Sequence, residues 1–356
     1  MACAAARLTA LAARSTPSIA DAPRPAPRPP PARGRGRPVR RVAAAVLLSS
    51  ALGTACGPGA DDRTTATDPT QAVAETTTTA PAATTATTAP LITTTARPVP
   101  ELPRGGQRIF PRFRVVGFYG MPGLDLLGAG PPDVVGRRLL EQARPYASRH
   151  QPVLPMFELI ATVAHPVPGR DGTYRTRQRD EVVRRYLEAA RRIEALLVLD
   201  LQPGRSDFLA ELRYWERYLR EPDVGVALDP EFSMGPGEVP GKRLGHTDAA
   251  SVNRASAYLS GIVRRYGLPE KLFVVHQFRA DMITDKARIE LRRGLAMVWN
   301  ADGFGGRGAK LDDYADYAAD RRFHPGLKLF YRLDTGLMRP SEVLRLEPAP
   351  QVVDYQ

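Results

Sequence analysis

From about residue 108 onward the chain repeats one unit: a short apolar run followed by an amphipathic stretch. The runs are RVVGFYG (114–120), VLPMFELI (153–160), ALLVLDLQ (195–202), VGVALDPEF (224–232), KLFVVHQF (271–278), LAMVWNAD (295–302) and LKLFYRLD (327–334). They are short and nearly continuous in Val, Leu, Ile and Phe, as strands buried on both faces are. The stretches at 134–143, 180–195, 206–219, 248–266, 285–294, 312–320 and 340–346 read as helices. They carry apolar residues at three-four spacing, with Asp248 placed as an N-cap and Gly267 and Gly294 as C-terminal stops. Strands alternating with helices demand a parallel sheet covered by helices. Seven units, with QVVDYQ (351–356) as an eighth strand, predict a single (β/α)8 TIM-barrel-like domain over 105–356. A doubly wound sheet is the competing topology. It fits less well, because no G-x-G-x-x-G follows the first run. Polar residues also recur at the ends of most runs, not at one switch point.

Those run ends are where such a barrel carries its chemistry. Tyr119 closes the first and Glu158 the second. Asp200 and Gln202 close the third, and Asp229 and Glu231 the fourth. His276 and Gln277 follow, then Trp299, Asn300 and Asp302, then Tyr331, Arg332 and Asp334. Any one alone reads as a cap or an ion pair. Together they offer hydrogen-bonding groups for hydroxyls and flat faces for sugar rings. The expected catalytic set is Glu231, Asp229 and Asp200. The expected substrate-binding set is Tyr119, Glu158, Gln202, His276, Gln277, Trp299, Asp302, Tyr331 and Asp334. Asp229 and Glu231 are two apart in a strand reading, so they share a face. A neighbouring carboxylate then raises the pKa of a general acid. The long loops 161–179 and 232–247, rich in Gly and Pro, lie at the same end.

The leading segments differ in texture. Residues 1–38 are rich in Ala, Pro and Arg and lack periodicity, so they are expected to be disordered. Arg40-Arg41, the apolar run VAAAVLLSSAL (42–52) and a small-residue exit to Cys56 describe a signal peptide over 39–56. The run is too short for a permanent membrane span. A signal starting there implies that Val39 or Val42 is the true initiator, or else an extended leading region. Residues 57–104 are a Thr/Ala/Pro-rich tract that reads as a disordered spacer. The net charge of +12 is concentrated at the front, where residues 1–41 hold nine Arg and one Asp. The rest is near balance, which argues against a nucleic-acid partner. Only five of the 50 basic residues are Lys, a bias that points to a GC-rich, actinobacterium-like source.

The exit Leu52-Gly53-Thr54-Ala55-Cys56 resembles the lipobox of bacterial lipoproteins. The resemblance implies acylation of Cys56, export, and a lipid anchor on the membrane facing the cell wall. Leu228-Asp229-x-Glu231 resembles the fourth-strand L-D-x-E of Chalaropsis-type muramidases. It is also similar to the end of the chitinase signature D-G-x-D-x-D-x-E. Gly225, Asp229 and Glu231 match that signature, and Val224 and Ala227 stand where it has Asp. The resemblance implies Glu231 as general acid and Asp229 as its partner carboxylate. The folded region as a whole resembles an uncharacterised family of actinobacterial surface lipoproteins. Polysaccharide or peptidoglycan is the expected partner. No cofactor is expected. Both cysteines, Cys3 and Cys56, precede the barrel, and the five His show neither H-x-H nor HExxH spacing. Two other readings stay open: a barrel that binds glycan without cutting it, and a metal-dependent hydrolase using Glu158, Asp200, Asp229 and His276.

Overall fold

The computed structural model describes residues 99–356. Cys3, Cys56, the expected signal segment and the spacer up to residue 98 lie outside the described residues. Eight parallel strands form a closed barrel. They are β1 (Arg114–Met121), β2 (Val153–Ala164), β3 (Leu196–Leu201) and β4 (Val224–Leu228). Then come β5 (Lys271–Gln277), β6 (Leu295–Ala301), β7 (His324–Leu329) and β8 (Val352–Tyr355). Each pairs with the next, and β8 returns to β1 through Val115 opposite Val352. Followed round the ring, the register comes back to β1 displaced by about eight residues, the shear of a (β/α)8 barrel.

The helices outside are α1 (Pro132–Ala143), α2 (Asp180–Arg192), α3 (Phe208–Leu219), α4 (Ala249–Tyr266), α5 (Arg307–Ala318) and the short α6 (Pro340–Val343). Their starts and stops follow local chemistry. The Asp207 carboxylate accepts from Ala210 N at 2.9 Å, and that of Asp248 from Ser251 N at 2.7 Å. Gly267 closes α4 in the left-handed conformation. In α2, Asp180 and Glu181 sit in the first turn and Arg191 and Arg192 in the last, matching the helix dipole.

One expected helix is absent. Residues 285–294 form a single 3-10 turn, Lys286–Arg288, and then run irregularly. The reason is non-local. The Asn253 side chain donates to Arg288 O and accepts from Glu290 N. The Arg322 guanidinium donates to the carbonyls of Lys286, Ala287 and Ile289. Carbonyls that a helix needs for its own ladder are committed to side chains from two other elements. The outer wall between β5 and β6 therefore lacks a helix.

Strand alternation divides the barrel into two cores. Outward residues such as Phe157, Leu199, Val226, Phe273 and Trp299 pack beneath the helices. Inward residues Val115, Met156, Val198, Ala227, Val274 and Val298 make an apolar floor. Leu102, Ile109, Phe110 and Phe113 pack against that floor and plug the N-terminal end. The fold thus begins ahead of residue 105: Leu102 is buried, and Arg104 Nη1 donates to Val153 O at 2.7 Å. No helix among the described residues is long and apolar enough to cross a membrane.

Candidate active site

Above the floor the inward positions turn polar. Counting by two along each strand leads from Val115 to Tyr119, from Leu154 to Glu158, from Leu196 to Asp200 and from Leu272 to His276. The same count leads from Val298 to Asn300 and Asp302, and places Lys328 on β7 and Asp354 on β8. Asp229 follows Leu228 directly at the end of β4. Glu158, Asp200 and Asp354 have no exposed surface, and Asp229 has 2%. Gly117 makes room in this layer. A Cβ there would lie 2.4 Å from Met156 Cε and 3.1 Å from Asp354 Oδ1.

The network is centred on two cations. The His276 ring places Nε2 at 2.6 Å from Glu158 Oε1 and Nδ1 at 3.3 Å from Asp302 Oδ2. Burial disfavours its charge, but Glu158 and Asp302 outweigh that and hold the imidazole pKa well above the usual histidine range. The Asn300 amide lies 3.2 Å from Nδ1, and an imidazolium there requires the amide oxygen to face the ring. Lys328 Nζ stands 3.3 Å from Asp302 Oδ1 and 3.4 Å from the centre of the Tyr119 ring. Tyr119 Oη donates to Asp200 Oδ2 at 3.1 Å. Gln202 Nε2 donates to Tyr119 Oη at 3.2 Å and reaches Asp229 Oδ2 at 3.4 Å.

Carboxyl groups outnumber these cations, so some of the acids must stay neutral. Burial, then Asp229 nearby, pushes Asp200 well above the carboxylate range. Burial, then Glu158, does the same to Asp354, whose two oxygens have no hydrogen-bond partner among the described residues. Burial pushes Asp229 up to about 6, with Asp302 adding to it and His276 and Lys328 opposing. Asp302 goes the other way. Burial works against its ionisation, but Lys328 and His276 hold it below the usual value. The layer thus sets acids with raised pKa values, Asp229 at about 6 among them, against the His276 and Lys328 cations.

Glu231 stands at the rim. The expected strand through residue 232 ends at Leu228, and Glu231 lies in a 3-10 turn, Pro230–Phe232. The two acids are thus related by a turn and not by strand parity. They remain electrostatic neighbours: burial, then Asp229, then Asp302 raise the Glu231 carboxyl well above its usual range. Its carboxyl has no hydrogen-bond partner among the described residues, and the residue keeps some exposure. Gly245 N donates to Glu231 O at 2.6 Å, which ties the loop 232–247 to this turn. Arg205 joins that loop to the other long one. Its backbone N donates to Thr173 O, its Nε donates to Glu238 O, and its guanidinium lies 4.2 Å from the centre of the Tyr174 ring.

The structure brings Tyr119, Glu158, Asp200, Gln202, Asp229, Glu231, His276 and Asp302 together at one end. It places the other four elsewhere. Trp299 faces the outer core, with its ring 4.2 Å from that of Phe323. Gln277, the neighbour of inward-facing His276, is buried on the opposite face of β5. Tyr331 is 44% exposed and donates to Gln142 Oε1. Asp334 accepts from Phe330 N and Gly305 N and pairs with Lys310 at 3.0 Å, so it anchors a loop. The last two fall outside because β7 ends at Leu329, well before residue 334.

Sequence reasoning missed Lys328 and Asp354, and also the rim aromatics Phe278, Phe304 and Phe330. Those three follow β5, β6 and β7, with ring centroids 5.3 Å and 5.6 Å apart in succession. A lysine between Leu327 and Leu329 in a chain with few lysines was the available signal for the first.

Among the described residues, one cluster could hold a metal ion. Single donor atoms of Glu158, Asp200 and His276 lie within 4.8 Å of one another, and Glu158 Oε2 and Asp200 Oδ1 are buried without partners. The donor types suit a divalent cation. A cation there would compete with the proton that Glu158 and Asp302 favour on His276.

No family model matches the chain, and no curated protein matches it. Among solved structures, the crystal structure of the Clostridial cellulose synthase subunit Z (CcsZ) from Clostridioides difficile is similar. It has 8% identity over 68% of this chain and 91% of that chain, with a TM-score of 0.37. A likeness at that level leaves the function to be read from the residues themselves.

Proposed function

We propose that this chain is an exported, lipid-anchored glycoside hydrolase acting on cell-wall or extracellular polysaccharide, with Glu231 as general acid and Asp229 as partner carboxylate. One observation carries the reading. A carboxyl whose pKa burial and then Asp229 raise well above its usual range stands at the mouth beside an acid whose pKa is about 6. That is the division of labour that glycosidic bond cleavage requires. Glu231 gives its proton to the bridging oxygen as the bond to the anomeric carbon breaks. The Asp229 carboxylate offsets the positive charge developing on the sugar. Water supplies the new hydroxyl, and its proton returns to a carboxylate. Phe278 and Phe304, both partly exposed, offer apolar ring faces, while Asp302 and Gln202 offer hydroxyl partners. Tyr119, Glu158, Asp200, Lys328 and Asp354 set the charge of the layer.

The test is release of reducing ends from peptidoglycan and from other polysaccharides by the full chain, beside Glu231→Gln and with and without a chelator. Release that Glu231→Gln abolishes and the chelator leaves intact supports the proposal. Binding without release sinks it and favours a non-catalytic glycan-binding barrel. Loss with chelator favours the second reading, a metal-dependent hydrolase, which rests on the Glu158, Asp200 and His276 cluster. Export and anchoring have their own test: mass spectrometry of the mature N-terminus, expected to find acylated Cys56.

A further inference from the structure

The missing helix between β5 and β6 leaves a cleft of about 910 Å³ at the N-terminal end of the barrel, opposite the carboxylates. The end of α4, the start of β6 and the segment ahead of β1 border it. Its lining is unbalanced in charge. Arg108, Arg264, Arg292, Arg293 and Arg322 contribute to it, together with His324. Glu270 is the single carboxylate among the lining residues, and its Oε2 is already taken by Ile109 N at 2.7 Å. Arg322 is committed to Asp320 and to backbone carbonyls. Arg292 Nη1 meets Glu290, while its Nε is buried without a hydrogen-bond partner. Among the described residues, the side chains of Arg108, Arg264 and Arg293 have no carboxylate within salt-bridge distance. Burial, then Arg108, holds His324 below the usual imidazole value, as expected in a positive field.

Guanidinium groups that neither pair nor stack are spare donors, and their planar forks suit oxyanions. The space is too large for one small anion and carries several such groups. We propose that this cleft binds a short linear polyanion with closely spaced oxyanion groups, phosphate or carboxylate. Arg108, Arg264 and Arg293, all exposed, contact it. The proposal is independent of the chemistry at the other end of the barrel.

The experiment is titration calorimetry on the full chain with tripolyphosphate and, separately, with trigalacturonate. The two arms distinguish a phosphate source from a carboxylate source. Three proteins are compared: the unaltered chain, Arg264→Glu/Arg293→Glu, and Arg137→Glu/Arg149→Glu. The last pair makes the same charge change at exposed positions outside the cleft. The Arg-rich leading segment is identical in all three, so any background binding from it cancels. Loss of both contacts is expected to weaken binding of at least one probe by about tenfold or more, with the control pair close to the unaltered chain. Arg264→Gln/Arg293→Gln, which introduces no repulsion, is expected to weaken it in the same direction. Equal weakening in the control pair, or no binding of either probe, overturns the proposal.

Discussion

Asp229→Asn removes an ionised group from a place that disfavours ionisation. The carboxyl is 2% exposed, and its pKa rises from 3.8 to about 6 in the fold. A raised carboxylate value means that the folded chain binds this proton more tightly than the unfolded chain does. The associated stabilisation is fully present below pH 3.8 and is lost as the pH climbs through about 6. Across that interval the loss amounts to about 3 kcal/mol. The amide carries no charge to desolvate, and its oxygen still accepts from Gln202. Asp229→Asn is therefore expected to be the more stable protein above pH 7. In a domain of this size that corresponds to a melting temperature higher by roughly 5–10 °C. The gap should close as the pH approaches 4. Calorimetric melting of both proteins between pH 4 and 8 measures it. Equal melting temperatures at pH 8, or a gap independent of pH, refute the assignment of a penalised charge. Turnover should fall in the same variant, and the basic limb of its pH profile should move down, because Asp229 raises Glu231.

Glu231→Gln keeps the shape and removes the proton donor. Its turnover should drop by about 10²–10⁴-fold, with melting unchanged or slightly raised; full activity removes the catalytic role. Lys328→Met strips Asp302 of its close ammonium partner and should cost about 3–5 kcal/mol in urea unfolding, far more than a surface lysine would. Gly204→Ala places a Cβ 2.3 Å from Thr173 O in a left-handed backbone, so a loss of about 1–3 kcal/mol is expected. Limited proteolysis should then cut the segment after β2, residues 165–179, faster; unchanged protection would mean that the close approach of Gly204 to Thr173 does not hold that segment.

The barrel was legible because its strands are buried on both faces. Each must be a short apolar run, and from residue 108 onward such runs alternate regularly with amphipathic stretches. The mouth was legible in part. Asp200, Asp229 and His276 lie where an apolar run breaks, and a polar side chain there has few other roles. Parity separates neighbouring polar residues at a strand end. His276 and Gln277, or Trp299 and Asn300, cannot both face inward from one strand, and inward parity from Val298 selects Asn300. Lys328 and Asp354 stand inside apolar runs, and only barrel closure brings their charges opposite Glu158 and Asp302. The absent helix at 285–294 was beyond local reading. Its carbonyls are claimed by Asn253 and Arg322, which are distant in sequence.

The plug formed by Leu102, Ile109, Phe110 and Phe113 fixes a polarity for the whole molecule. The chain enters the barrel through the end opposite the carboxylates, so whatever holds residue 99 grips the base. A pull from the N-terminus strips the floor before it disturbs the mouth. A rigid support fixed directly at residue 99 would face the arginine cleft and leave Glu231 on the far side. Reversing that order, by circular permutation that opens the chain at a mouth loop, would turn the same barrel to face its own support.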